Sequence, residues 1–124
     1  MRWVVDAMNV IGSRPDGWWK DRHAAMARLV ENLERWAGES GDDVTVVFEK
    51  PPSPPITSKV VEIAYAPRAQ PNAADHEIVR LVASAPQPDA IRVVTSDRWL
   101  ADRVRAAGAT VEPAKAFRDR LDAL

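Results

Sequence analysis

The chain has 124 residues, 46% hydrophobic and 28% charged, with a formal net charge of −1, and this balance excludes a disordered chain and leaves room for one domain with its own core. No cysteine is present and the only histidines are His23 and His76, so disulfides, thiolate zinc sites and cysteine nucleophiles are excluded and any metal would be a hard one held by oxygen. No apolar run reaches the ~18 residues of a spanning helix.

Arg2 to Asp6, "RWVVD", reads as a short buried strand, and the polar turn "NVIGSRPDGWW" follows. From about Arg22 to Ala37, Ala25, Leu29, Leu33 and Trp36 fall at helical spacing, as do Met26, Val30 and Ala37, with Gly38 or Gly41 as the stop. Val44 to Glu49 is a second strand, and "KPPSPPITS" is a rigid loop that can continue neither a helix nor a central strand. Lys59 to Ala66 is a third strand. Asn72 is expected to cap a helix running to about Ala85, with Ile78, Leu81, Val82 and Ala85 as its apolar stripe and Asp75 in its first turn. Ala90 to Thr95 makes a fourth strand, Ser96 a cap, and Asp97 to Ala107 a helix stopped by Gly108. Ala109 to Glu112 is a fifth strand, and "AKAFRDRLDAL" a closing helix. Strands that are continuously apolar and alternate with helices indicate a three-layer α/β/α domain around a mostly parallel, Rossmann-like sheet of about five strands.

Right-handed crossovers bring the carboxyl ends of parallel strands, and the starts of the following helices, to one edge. Asp6, Glu49, Asp75 and Asp97 should all project there. If strand order reverses between the first and fourth strands, Asp6 and Asp97 flank the crevice in which such sheets bind ligands. Carboxylates in one crevice repel one another unless some are protonated or a divalent cation lies between them. Carboxylate and water ligands suit Mg²⁺ or Mn²⁺, whose usual work is phosphoryl chemistry, here most simply hydrolysis of a phosphodiester.

Each acid also has a plainer account. Asp75 and Asp97 could be first-turn acids favoured by the helix dipole by ~0.3 to 1 kcal/mol each. Asp102 lies four residues after Arg98, where an exposed ion pair accounts for it. Asp6 ends a buried strand ahead of a turn, with no helix dipole to explain it. Asn9 is either a turn former or a partner for Asp6 or a phosphate. His76 reads as a surface histidine before a general base, and Thr95, Ser13 and Ser96 lack a partnered histidine at any spacing that would make them nucleophiles.

Taken together, "VVDAMNVIGS", "VVFE", "AADHEIVRLV" and "VVTSDRWLADRVRAAGA" resemble, in order and over nearly the whole chain, the NYN/YacP-like branch of the PIN-like nuclease superfamily. That resemblance implies a five-stranded PIN-like core and metal-dependent cleavage of RNA. It implies metal-binding acids at Asp6, Asp75 and Asp97, with Asn9 as a polar site residue; Glu49, in the family's aspartate position, and Asp102, as an outer acid by its place in the chain alone, are further candidate ligands. Glu49 stands where the family pattern has aspartate, and "EKPPSPP" replaces a roomier segment. RNA contact would fall to Arg14, Trp18, Lys20, Arg22, Arg68 and Arg98. Trp19 and Trp99 are more simply read as roofing the core, although one of the adjacent Trp18 and Trp19 must point elsewhere.

The expected enzyme is therefore a cytoplasmic Mg²⁺- or Mn²⁺-dependent endoribonuclease acting on RNA, with no nucleotide cofactor and no membrane partner; a homodimer is left open. The opening residues have neither a basic stretch nor an apolar signal region. A non-catalytic RNA-binding module of the same fold is the second reading. A phosphatase of the haloacid dehalogenase type is a distant third, because it needs an aspartate where Met8 stands.

Overall fold

The computed structural model describes residues 1–68 and 70–124. Five strands, β1 (Arg2–Asp6), β2 (Asp43–Phe48), β3 (Glu62–Tyr65), β4 (Ile91–Val94) and β5 (Thr110–Glu112), form one sheet in the order β3-β2-β1-β4-β5. Every neighbouring pair is parallel. The chain therefore steps outward from β1 through β2 to β3, then crosses back and continues on the other side as β4 and β5. Val5 pairs with Val46 on one side and Val94 on the other, which fixes the register at the reversal point. In open sheets of this kind ligands bind at such a reversal, here beyond the carboxyl ends of β1 and β4.

Among the described residues, five α-helices cover the sheet: α1 (Ala7–Gly12), α2 (Arg22–Ser40), α3 (Ala73–Ala83), α4 (Arg98–Ala106) and α5 (Ala114–Asp122). Alternation along the strands divides the core in two. Trp3, Val5, Val46 and Phe48 face α1, α2 and α5 and pack with Leu33, Trp36 and Phe117. Val4, Val47 and Val93 face α3 and α4 and pack with Ile78, Val82, Leu100 and Val104. Trp3, Trp36 and Phe117 meet with ring centroids 4.8 to 5.4 Å apart, joining β1, α2 and α5 at one aromatic contact.

Several boundaries differ from the sequence expectation. The expected turn after Asp6 is instead α1, which starts at once and buries Ala7, Val10 and Ile11. A helix N-terminus does, after all, adjoin Asp6. β3 is shorter than Lys59 to Ala66 because the Ser58 hydroxyl accepts the backbone N–H groups of Val60 and Val61, tying them into a turn before the ladder. Asn72 precedes α3 but does not cap it with its side chain; it is left-handed, at φ 59°, as asparagine tolerates. Ser96 is not the cap of α4. Asp97 takes that role, accepting from the Leu100 N–H at 2.9 Å.

Gly41 ends α2 in a left-handed conformation at φ 73°, while Gly38 lies inside the helix with open space around it. Gly38→Ala should therefore stabilise the fold by about 0.5 to 1 kcal/mol, and Gly41→Ala should cost about 1 to 2 kcal/mol. Urea unfolding of the two variants checks the opposite signs.

Candidate active site

Asp6 is the last residue of β1 and is only 5% exposed. Its Oδ2 accepts a hydrogen bond from the hydroxyl of Thr95, the first residue beyond β4, at 2.9 Å. Because that hydroxyl has a single proton, its oxygen is left to accept, and it takes the backbone N–H of Asp97 at 3.1 Å. The Thr95 N–H donates to the Glu112 carbonyl on β5 at 3.0 Å. The Ser96 N–H donates to Asn9 Oδ1 at 2.8 Å, and Ser96 Oγ accepts from the Ala114 N–H at 2.9 Å. Thr95, Ser96 and Asp97 are thus tied to β1, α1, β5, α4 and α5 through side-chain and backbone bonds at every position.

Burial is the main reason the Asp6 carboxyl rises from its ordinary 3.8 to about 7; the Thr95 hydrogen bond works against the rise, and the nearby charges of Asp75 and Asp97 add to it. The backbone amide of Asn9, at the start of α1, also favours the ionised form, although its geometry stops short of a cap hydrogen bond. Asp75 is raised too, by partial burial first and then by Asp97 and Glu49, with His76 opposing. Asp75 and Asp97 thus act on Asp6, Asp97 acts on Asp75, and Glu49, exposed just past the end of β2, joins them through Asp75.

The donor chemistry, carboxylate oxygens in a shared field of like charge, fits a hard divalent cation. Among the described residues, however, no three histidine, aspartate or glutamate side chains are close enough as they stand to hold one ion together. Asn9 holds the Ser96 loop with the oxygen that was expected to serve the site. Asp102 is exposed one turn further along α4 and does not act on the charge of Asp6 or Asp75; it lies outside the cluster. Nor does Asp102 form the expected ion pair with Arg98, since the ion pairs among the described residues include neither side chain.

The cations and aromatics sort differently from expectation. Arg14 is engaged by both oxygens of Asp122, at 2.7 and 3.1 Å, and serves to tie α1 to α5. Trp18 packs against the core with the Arg22 guanidinium over its ring, so Trp19, 58% exposed and at 86° to it, is the free ring of the pair. Trp99 does not roof the core either: it is 41% exposed, meets His76 edge-on at 5.2 Å and lies under Arg103. Lys20, Arg22, Arg68 and Arg98 are exposed as expected.

Thr95 is the residue that sequence reasoning undervalued. A β-branched hydroxyl at the end of an otherwise apolar buried strand was the available signal, since such a group needs a buried partner.

Comparison with known proteins agrees with this architecture. The sequence pattern of the YacP-like NYN domain matches residues 3–124, and the chain belongs to that family. Membership places it among nuclease-type, RNA-related proteins. The crystal structure of Rae1 (YacP) from Bacillus subtilis superposes with a TM-score of 0.81 at 24% identity, covering 99% of this chain and 74% of that one. A tryptophan-to-leucine variant of the same protein gives a TM-score of 0.82 at 23% identity over 98% and 75%. These likenesses establish the shared fold. No curated protein matches the sequence. Among the described residues, no helix is long and apolar enough to cross a membrane.

Because the folded chain holds the Asp6 proton more tightly than the unfolded chain, it binds more protons between the ordinary 3.8 and about 7, and its stability falls as pH rises through that window. Asp6→Asn keeps an acceptor for Thr95 without the charge. In chelator, it should flatten this pH dependence and raise stability at pH 8 by about 1 to 3 kcal/mol, a discounted share of the ~1.4 kcal/mol per pKa unit. Thr95→Val should instead cost about 1 to 3 kcal/mol, by leaving a buried carboxyl without its donor. Thermal melts from pH 4 to pH 8 measure both.

Proposed function

We propose that this member of the YacP-like NYN family is a metal-dependent endoribonuclease, hydrolysing RNA phosphodiesters in the crevice between β1 and β4. The observation that carries the reading is a buried carboxyl, Asp6, held near neutral pKa between two further acids at the reversal point of the sheet. Asp6, Asp75 and Asp97 are the residues that would hold Mg²⁺ or Mn²⁺, with Glu49 at the rim. The bound cation would supply charge stabilisation at the phosphoryl oxygens and a more acidic water.

The chain's own residues have separate tasks. Thr95 fixes Asp6 Oδ2, so that the orientation of this acid does not depend on its charge, while Oδ1 can hold or release a proton near neutral pH. Asp97 is fixed by capping α4, and Asn9 and Ser96 fix the loop between them. Lys20, Arg22, Arg68 and Arg98 provide phosphate contacts, and Trp19 and Trp99 provide surfaces for unstacked bases.

One observation favours a second reading, an RNA-binding module without turnover: the three acids are not assembled around one point as they stand. Single-turnover cleavage of end-labelled single-stranded RNA separates the two. Cleavage with Mn²⁺ should fall at least about 100-fold with excess chelator and in Asp6→Asn or Asp97→Asn. Equal rates under all these conditions would sink the metal-dependent reading. RNA affinity that tightens in Asp97→Asn, with no product from either protein, would establish the second.

A further inference from the structure

We infer that the groove between the start of α2 and the proline-rich loop after β2 is a pocket for one unstacked nucleobase, taken from the RNA strand whose phosphate meets Asp6 and Asp97. This deepens the ribonuclease reading and rests on it for the identity of the strand. The groove has a volume of about 290 Å³. Met8 and Met26, both half-buried, and the edge of Phe48 form its apolar floor. Pro51 and Pro52 form one wall, and that wall is tied across to α2 by His23, whose Nε2 lies 2.8 Å from the Pro54 carbonyl oxygen. Arg22 and Lys50 stand exposed at the rim.

Three features commit this groove to a nucleotide. It neighbours the acid cluster, since Glu49, which lines the groove, acts on Asp75, and Met8 follows Asp6 by two residues in the chain. Its shape chemistry is that of a planar ring: stiff proline on one side and adaptable thioethers below. Its rim carries two cations, Arg22 and Lys50, so an apolar ring joined to an anionic backbone is matched and a neutral apolar ligand is not. Glu49, which lines the groove, adds an acceptor for amino or imino protons at the ring's edge.

Taking about 60 Å² of apolar base surface out of water in such a slot is worth about 10-fold in affinity. A single abasic nucleotide walked along a short single-stranded RNA, with binding measured in chelator to prevent cleavage, should therefore cost at least about 10-fold at one position and little elsewhere. Met26→Trp, which fills the floor, should abolish the penalty at that position. A flat abasic profile, or a penalty unchanged in a folded Met26→Trp protein, would overturn the pocket.

Methyl spectra of the unmodified sequence give a second measurement, independent of folding defects. Of the three methionines, Met8 and Met26 line the groove and Met1 lies at the opposite edge of the sheet, before β1. Titration with the four ribonucleoside 5′-monophosphates should move the Met8 and Met26 methyl signals and leave Met1 in place. Those shifts in a protein that cleaves no RNA would keep the pocket and remove the ribonuclease reading. Cleavage with Met8 and Met26 unmoved by any nucleotide would do the reverse.

Discussion

One hydrogen bond, from the Thr95 hydroxyl to Asp6, holds the acidic edge of this molecule in register. It joins the ends of the two strands between which the strand order reverses. Without it, β1 and β4 would still pair along their length, but their final residues would be free to splay. With it, a carboxyl group remains buried where burial alone would favour turning it out to water. The acid and the hydroxyl explain each other: each is a buried polar group satisfied by the other.

The rest of the edge repeats this logic outward. Asp97 donates its N–H to Thr95 and uses its carboxylate to cap α4, so one residue serves the site and the helix at once. The helix therefore starts one residue later than the expected cap at Ser96 would place it, and the acid that the first-turn reading left to the dipole is held by a hydrogen bond of its own. Ser96 links the same loop to α1 through Asn9 and to the start of α5 through Ala114. The two halves of the core, separated by the sheet, are thereby coupled at the edge where the acids stand. Thermodynamically the arrangement is costly in the absence of a cation, because Asp6 and Asp75 are both pushed toward protonation. A stable fold carries that cost on a base of well-packed strands, with Val4, Val5, Val46, Val47, Val93 and Val94 almost wholly buried.

Much of this was legible in the sequence for definable reasons. Continuous valine runs mark strands buried on both faces, and they gave β1, β2 and β4 within a residue or so of their observed ends. The topology rule then placed Asp6, Asp75 and Asp97 on one edge without any knowledge of side chains. What it could not place were features set by single hydrogen bonds or by tight local packing. The helix α1 is too short to show a periodic stripe and was hidden among turn-forming residues. Trp18 and Trp19 are indistinguishable by type, and only the left-handed Gly17 ahead of them, with the short 3-10 turn it starts, decides which ring meets the core. Arg14 looked free because its partner, Asp122, lies 108 residues away.

That same remoteness has a kinetic side. The bonds that define the crevice span 89 residues for Thr95 with Asp6 and 87 for Ser96 with Asn9, among the longest-range contacts in the chain. Loops of that length close late, after local helices and the β1–β2 pair can already have formed. The acids are therefore brought together only when the second half of the sheet docks. During synthesis Asp6 emerges well before Thr95, its partner, so the acidic edge is a property of the finished fold and of no shorter intermediate.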